Sequence, residues 1–467
     1  MQLEIKMQRY KCVAEMSLLK LGVFFTLFLF IAKGYSSMTE NEFPDVLIEP
    51  FPILSWVPPA IDEQQLGWYK EAGFTVLSIY PDEQTYQTMR KHWNGNYMLF
   101  KEWSGYTYDD MLAFHPEDKH KIGYLLGDEP LYDQLGKYKE IADKMRNADP
   151  HRLCLVNLFP SYVGETRLGN GFLDYLKGYF ELINPRYCVL DHYPLLWFDV
   201  QKPSFYYDIE MLRKFAMWNN SKQIGFVQTY SSTINRDVSE SDIAWQVNTF
   251  LAYGCKGLWY FNFRHPAPGL SGVKELKVSK AGVRDYRSLP GVWTEYYKPV
   301  YETFGNSSVL DSDDKPSYVF EYVKKINSQV ASWGPLLLSL ENTAVRHVVN
   351  RQPFEPVGTE PFDTINGEPF IKNVRAANVD EDKGFIVSYF KNAQDEQYIM
   401  IVNKRFGEYM SCAGGRTQTV MTFDDNVKNI REVSKKDGQL VDTQFQNNAL
   451  SVDIEAGGAV LFKIEIK

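Results

Sequence analysis

Residues 122–130 read Ile122-Gly123-Tyr124-Leu125-Leu126-Gly127-Asp128-Glu129-Pro130, an almost wholly apolar run that stops at two carboxylates and a proline. A strand buried on both faces has this texture, because neither face is left for polar residues to alternate onto. Seven further short runs between residues 50 and 265 share it: Pro52 to Trp56, Phe74 to Tyr80, Tyr97 to Phe100, Leu153 to Leu158, Tyr187 to Leu190, Ile224 to Gln228 and Gly257 to Asn262. Helix-like stretches stand between them, such as Asp62 to Ala72, Tyr132 to Ala148, Tyr207 to Trp218 and Ser239 to Ala252. Eight strand–helix repeats predict an α/β fold, a (β/α)8 TIM barrel whose site lies at the C-terminal strand ends. A doubly wound open sheet is the competing arrangement. No glycine-rich phosphate loop follows the first strand, which counts against that sheet's nucleotide site.

A long helical stretch from Tyr318 through Leu340 reads as the last barrel helix, and beyond it the texture changes. Phe385 to Phe390, Gln397 to Asn403, Gln418 to Phe423 and Ala459 to Ile464 are short strand-like runs. Turn residues such as Lys435-Lys436-Asp437-Gly438 and Ala456-Gly457-Gly458 separate such runs. This pattern predicts a smaller antiparallel β-sandwich. The organisation expected is a signal peptide over 1–37, a barrel over 44–342 and a sandwich over 343–467.

The leader expectation rests on Lys6, Arg9, Lys11 and Lys20 ahead of an apolar run from Leu21 to Ala32, long enough for a signal-peptide core but short for a bilayer span. An uncleaved anchor is the alternative. Cleavage would place the protein outside the cell, in the periplasm or on the cell surface, with no stable membrane insertion once the leader is gone. The formal charge of −9 argues against nucleic acid as a partner. Cys154, Cys188, Cys255 and Cys412 show no C-x-x-C or Cys/His ligand spacing and read as buried free thiols. With no His-x-His or His-Glu-x-x-His spacing either, neither a catalytic metal nor another cofactor is expected.

Barrel geometry turns strand ends into candidates. Strand 4 supplies Asp128 and Glu129, strand 6 Asp191, His192 and Tyr193, strand 7 Gln228 and Tyr230, and strand 8 Asn262, Arg264 and His265. Strand 2 adds Tyr80 and Asp82, and strand 3 adds Glu102 and Trp103. One mouth carrying several carboxylates, amides and aromatic rings suits glycosidic cleavage. That reaction takes one carboxylic acid to protonate the leaving oxygen and one carboxylate to attack or to activate water. Trp103, Trp197, Tyr230 and Trp259 are candidate platforms for a sugar ring. The bland alternatives stand beside these: Asp128-Glu129-Pro130 also suits a helix N-terminus, and Asp191 also suits a loop that bonds its own backbone.

The Gly127-Asp128-Glu129-Pro130 strand end resembles the Asn-Glu-Pro strand end of the large clan of retaining glycosidases built on (β/α)8 barrels. Ala252 to Phe261 and Gly457 to Phe462 further resemble β-galactosidase-like barrels with a C-terminal sandwich. The resemblance implies that Glu129 is the acid/base and that Asp128 contacts the sugar 2-hydroxyl. It implies a carbohydrate substrate, and the strand-end side chains of Tyr193, Gln228, Tyr230, Asn262 and Trp103 are expected to bind it. The clan's nucleophile, a Glu ending strand 7, is not matched, because Gln228 stands there and an amide cannot serve. Asp191 is the leading candidate for the second carboxylate, with Glu102 and Asp82 next. Three functions remain open: a hydrolase, a carbohydrate-binding protein on a degenerate barrel, and a lyase using Tyr193 or His192 as base.

Overall fold

The computed structural model describes residues 47–101, 104–196, 200–232, 234–265, 307–349, 356–363, 368–377 and 383–467. The leader, Glu102, Trp103 and Trp197 lie outside them. The eight apolar runs each contain a strand: β1 Ile53–Ser55, β2 Val76–Ile79, β3 Asn96–Phe100, β4 Lys121–Asp128, β5 Leu153–Leu158, β6 Tyr187–Leu190, β7 Lys222–Gln228 and β8 Leu258–Phe261. Their order in the sheet is β1-β8-β7-β6-β5-β4-β3-β2, with every adjacent pair parallel. The two ends meet without a full ladder. Thr75 N–H donates to the Ile53 carbonyl at 3.0 Å, and the Thr75 hydroxyl accepts from Ile53 N–H at 2.8 Å. A barrel results.

Each strand is followed by a helix: α1 Glu63–Glu71, α2 Glu83–His92, α3 Tyr108–Ala113, α4 Leu135–Ala148, α5 Phe172–Ile183, α6 Phe205–Trp218, α7 Glu240–Ala252 and α8 Tyr318–Ser339. Their starts follow from the sequence. Asp62 and Asp82 accept from the backbone N–H groups of Gln65 and Thr85 at 2.8 and 2.7 Å, while Thr107 with Asp110 and Ser239 with Asp242 form capping boxes. Asp82, a reserve candidate for catalysis, is therefore the cap of α2, and its bonds to Thr85 hold its carboxyl below the usual range. Strand residues alternate between two cores. Leu54, Trp56, Met98, Leu125, Leu155, Phe226 and Trp259 fill the barrel interior, whereas Leu77, Leu99, Tyr124, Val156 and Val227 pack outward towards the helices.

Beyond α8 the chain forms β9 Glu341–Val348, β10 Ile371–Ala376, β11 Phe385–Lys391, β12 Gln397–Asn403, β13 Thr417–Phe423, β14 Val427–Val433, β15 Leu440–Asp442, β16 Ala449–Ile454 and β17 Ala459–Ile466. A six-stranded sheet, β9-β11-β12-β17-β14-β15, faces a three-stranded one, β10-β13-β16, across a core that includes Val387, Ile401, Met421, Leu450 and Phe462. The other face of the large sheet packs on the barrel. Trp245 of α7 stacks on Phe406 with centroids 4.0 Å apart, and Trp333 of α8 donates to the Val433 carbonyl at 3.1 Å. At Gly457, with φ at 66°, an added Cβ would lie 2.3 Å from the Ser241 carbonyl oxygen and 2.5 Å from the Trp245 nitrogen. Barrel and sandwich belong to one compact unit, Asp45–Lys467.

Candidate active site

The end of β4 is shaped by three local devices. The ladder to β5 slips between Leu125 and Gly127, so Asp128 comes to lie opposite Asn157, whose amide nitrogen donates to the Asp128 carboxylate at 2.9 Å. Gly127 lets the ring of Tyr138 in α4 lie flush against the strand, since an added Cβ would fall 2.2 Å from that ring. Glu129 then adopts a left-handed backbone, φ 45°, anchored by its N–H on the Asn157 carbonyl at 2.9 Å. A non-glycine residue held there costs about 1–3 kcal/mol, and such strain gathers at functional sites. The helix-cap alternative fails. α4 begins only at Leu135, after a 3₁₀ turn over Tyr132–Gln134 at whose start Leu131 N–H donates to the Gln134 side chain at 2.9 Å, and Leu131 and Gln134, not Asp128, occupy the cap positions.

Asp191 follows β6, two strands round the barrel. Its carboxylate accepts from the Tyr193 hydroxyl at 3.1 Å and meets the carboxyl of Glu129 within hydrogen-bond reach. Two like charges cannot both be kept at such a distance, so the pair holds a proton. Burial, then the charge of Asp128, pushes Glu129 up to about 7. Asp191 is the deeper of the two, 7% exposed. It is raised as well, by burial first and then by Glu129 and Asp128, so the two carboxyls share the proton.

Around the pair stands an aromatic wall. Tyr193 lies edge-on to Tyr230 with centroids 4.9 Å apart and tilts against Phe261 at 5.4 Å. Tyr230 is anchored through its hydroxyl on Asn235 at 3.0 Å. His192 is buried and bonds Asp208 at 2.8 Å, and burial lowers its pKa. Asp208 also accepts from Ser161 N–H at 3.0 Å, which ties the loop after β6 to the loop after β5.

The remaining sequence candidates divide. Gln228 is fully buried, its carbonyl accepting from Leu195 N–H at 3.0 Å and its amide nitrogen donating to the Leu195 and Tyr230 carbonyls at 3.3 Å each. It clamps the β6 loop. Asn262 is also fully buried at the end of β8, and its side-chain nitrogen and oxygen have no protein partner among the described residues. Trp259 lies inside the barrel core and offers no open ring face. Arg264 is paired with Asp314 at 2.6 Å. Cys154, Cys188, Cys255 and Cys412 are buried and free, as their spacing suggests.

Sequence reading missed Asn157, Tyr162, Arg167 and Lys202. Tyr162 and Arg167 sit in the loop after β5, and Lys202 sits in the loop after β6. Tyr162 keeps 43% of its surface exposed, with the Lys202 ammonium 3.4 Å from its ring centroid. The Arg167 guanidinium lies 5.2 Å from the Phe159 ring centroid and acts electrostatically on Glu129. Only the strand end Phe159-Pro160 could have drawn attention to this corner; no spacing marks Lys202.

No family model matches the sequence, and no curated protein does either. Solved structures align with it in outline. The β-glucuronidase of Parabacteroides merdae is similar at 11% identity and a TM-score of 0.37, over 91% of this chain and 62% of its own. The β-galactosidase of the psychrophilic Marinomonas ef1 gives 8% identity and 0.42, over 63% of this chain and 62% of its own. The chain thus spans less than two thirds of either of those proteins. The α-galactosidase of Saccharomyces cerevisiae, solved with raffinose, gives 8% identity and 0.42, over 89% of this chain and 98% of its own. Likeness this distant assigns no residue a role.

Proposed function

We propose that the protein is an exported glycoside hydrolase acting on an oligo- or polysaccharide, with Glu129 as general acid and Asp191 as the partner carboxylate. The observation that carries this reading is the contact between their carboxyls at the mouth of the barrel, which keeps one proton near neutral pH. When a glycoside enters, Glu129 bonds the glycosidic oxygen. The shared proton passes through Glu129 to that oxygen as the bond to C1 breaks, which leaves Asp191 ionised. Asp191 then attacks C1, and water later cleaves the ester with Glu129 as base. The two carboxyls interact directly, an arrangement nearer to the about 5–5.5 Å separation of retention than to the about 6.5–9.5 Å of inversion. Retention of configuration is the expected outcome. In this reading Asp128, steadied by Asn157, and the Tyr193–Tyr230 wall contact the sugar.

A non-hydrolytic carbohydrate-binding protein is the second reading. It is favoured by Gln228, which fills the usual nucleophile position and is committed to holding Leu195. Incubation with a panel of aryl and natural glycosides decides between them. Hydrolysis that Asp191→Asn abolishes supports the first reading. Sugar binding without turnover supports the second.

A further inference from the structure

We propose that the barrel mouth accepts a sugar bearing a negative charge, a carboxylate or a sulfate ester, and that Lys202 is the residue that reads it. This rests on the carbohydrate-active reading above. The backbone N–H of Lys202 is fixed on the Pro194 carbonyl at 2.9 Å, and its ammonium lies over the half-exposed Tyr162 ring, beside the mouth. The carboxylates nearby are already committed. Asp208 serves His192 and Ser161, while Asp191 takes the Tyr193 hydroxyl and meets Glu129. Asp128 takes the Asn157 amide. The Lys202 ammonium therefore has no hydrogen-bond acceptor and no ion pair among the described residues, although burial lowers its pKa to about 8 against the pull of Asp191 and Asp208.

A partly desolvated ammonium whose one protein partner is a ring face is an incompletely satisfied cation, and a ligand anion is the group that would complete it. A second cation stands nearby. Arg167, an exposed residue of the loop after β5, lies over Phe159 within electrostatic reach of Glu129 and adds positive charge to this side of the mouth. A neutral sugar would leave the Lys202 ammonium unanswered beside the carboxyl pair. An anionic sugar would neutralise it and be drawn in by both cations against the local negative charge.

The test is calorimetric titration of the full chain with uronic-acid-containing, O-sulfated and neutral oligosaccharides. Anionic ligands should bind more tightly than neutral ones of equal length, and the preferred arm distinguishes carboxylate from sulfate. Lys202→Met should weaken anionic binding about 10- to 100-fold, the usual value of a charge-assisted hydrogen bond, while Lys202→Arg keeps most of it. Equal affinity for neutral and anionic ligands, or a Lys202→Met variant that binds anionic ligands unchanged, overturns the proposal and leaves the hydrolase reading standing. Failure of every sugar class to bind overturns both. Should Lys202→Met fail to fold, the ranking measured on the parent protein still decides.

Discussion

Buried acids are handled in opposite ways in two regions of this barrel. On the helical side, each has a cation or an N–H donor. Asp242 at the start of α7 receives Arg236 at 2.8 Å and Ser239 N–H at 2.7 Å, and Glu210 in α6 receives Arg213 at 2.9 and 2.8 Å. At the mouth, Asp191 and Glu129 are set against each other, with Asp128 close by. The first arrangement is what a folded chain needs to keep a carboxylate charged in its interior. The second keeps a carboxyl protonated instead, which stability does not require and proton transfer does. Chemistry is legible where buried charge is left uncompensated.

The largest effect that could break this contrast is catalytic. Glu129→Gln should reduce turnover of a natural glycoside by about 10²- to 10⁴-fold, the usual worth of general acid catalysis, with a smaller loss on an activated aryl glycoside. Asp191→Asn should damage both substrates alike. Steady-state rates on the two substrates give the answer, and full activity of Glu129→Gln would remove Glu129 from the mechanism.

The structural region should respond in stability. Arg236→Met leaves Asp242 buried without its cation and should cost about 3–5 kcal/mol in denaturant unfolding, whereas Asp191→Asn should cost little or nothing. Equal losses at the two sites would erase the distinction between them. Gln228→Glu, which places there the residue type of the resembling clan, should lose about 1–3 kcal/mol and gain no activity, because the oxygen replacing the amide nitrogen would face the Leu195 and Tyr230 carbonyls.

How far the sequence led follows from the same physics. All eight barrel strands were legible because burial on both faces writes an unbroken apolar run. Four of the nine sandwich strands were legible for the related reason of dense apolar content. Strands such as Ile371–Ala376 and Ala449–Ile454 were not, since each buries only two of its six residues and leaves the others partly or fully exposed. At the site, Glu129 and Asp191 stood out as carboxylates at strand ends. Lys202 and Arg167 did not, because they come from loops whose path depends on Pro194, Asp208 and Phe159 rather than on any spacing. The commitment of Gln228 to Leu195 was equally invisible, because its partner belongs to another strand's loop.

The smallest effect expected concerns pH. A carboxyl raised from 4.5 to about 7 holds in the folded state a proton that the unfolded chain has released. The stability contribution of Glu129 is therefore complete below pH 4.5 and lost as pH rises through about 7. Glu129→Gln removes that loss, so its Tm should match the parent at acid pH and exceed it by about 1–3 °C above neutrality. A constant difference across the range would mean that Glu129 titrates as an ordinary surface acid.

The proton itself is open to direct observation by infrared difference spectroscopy of the parent against the Glu129→Gln/Asp191→Asn double variant. A protonated carboxyl band should be present in the parent at pH 7, absent from the double variant, and lost as the pH is raised further. Carboxylate bands alone at pH 7 would show both acids ionised and would contradict the shared proton on which the site's chemistry depends.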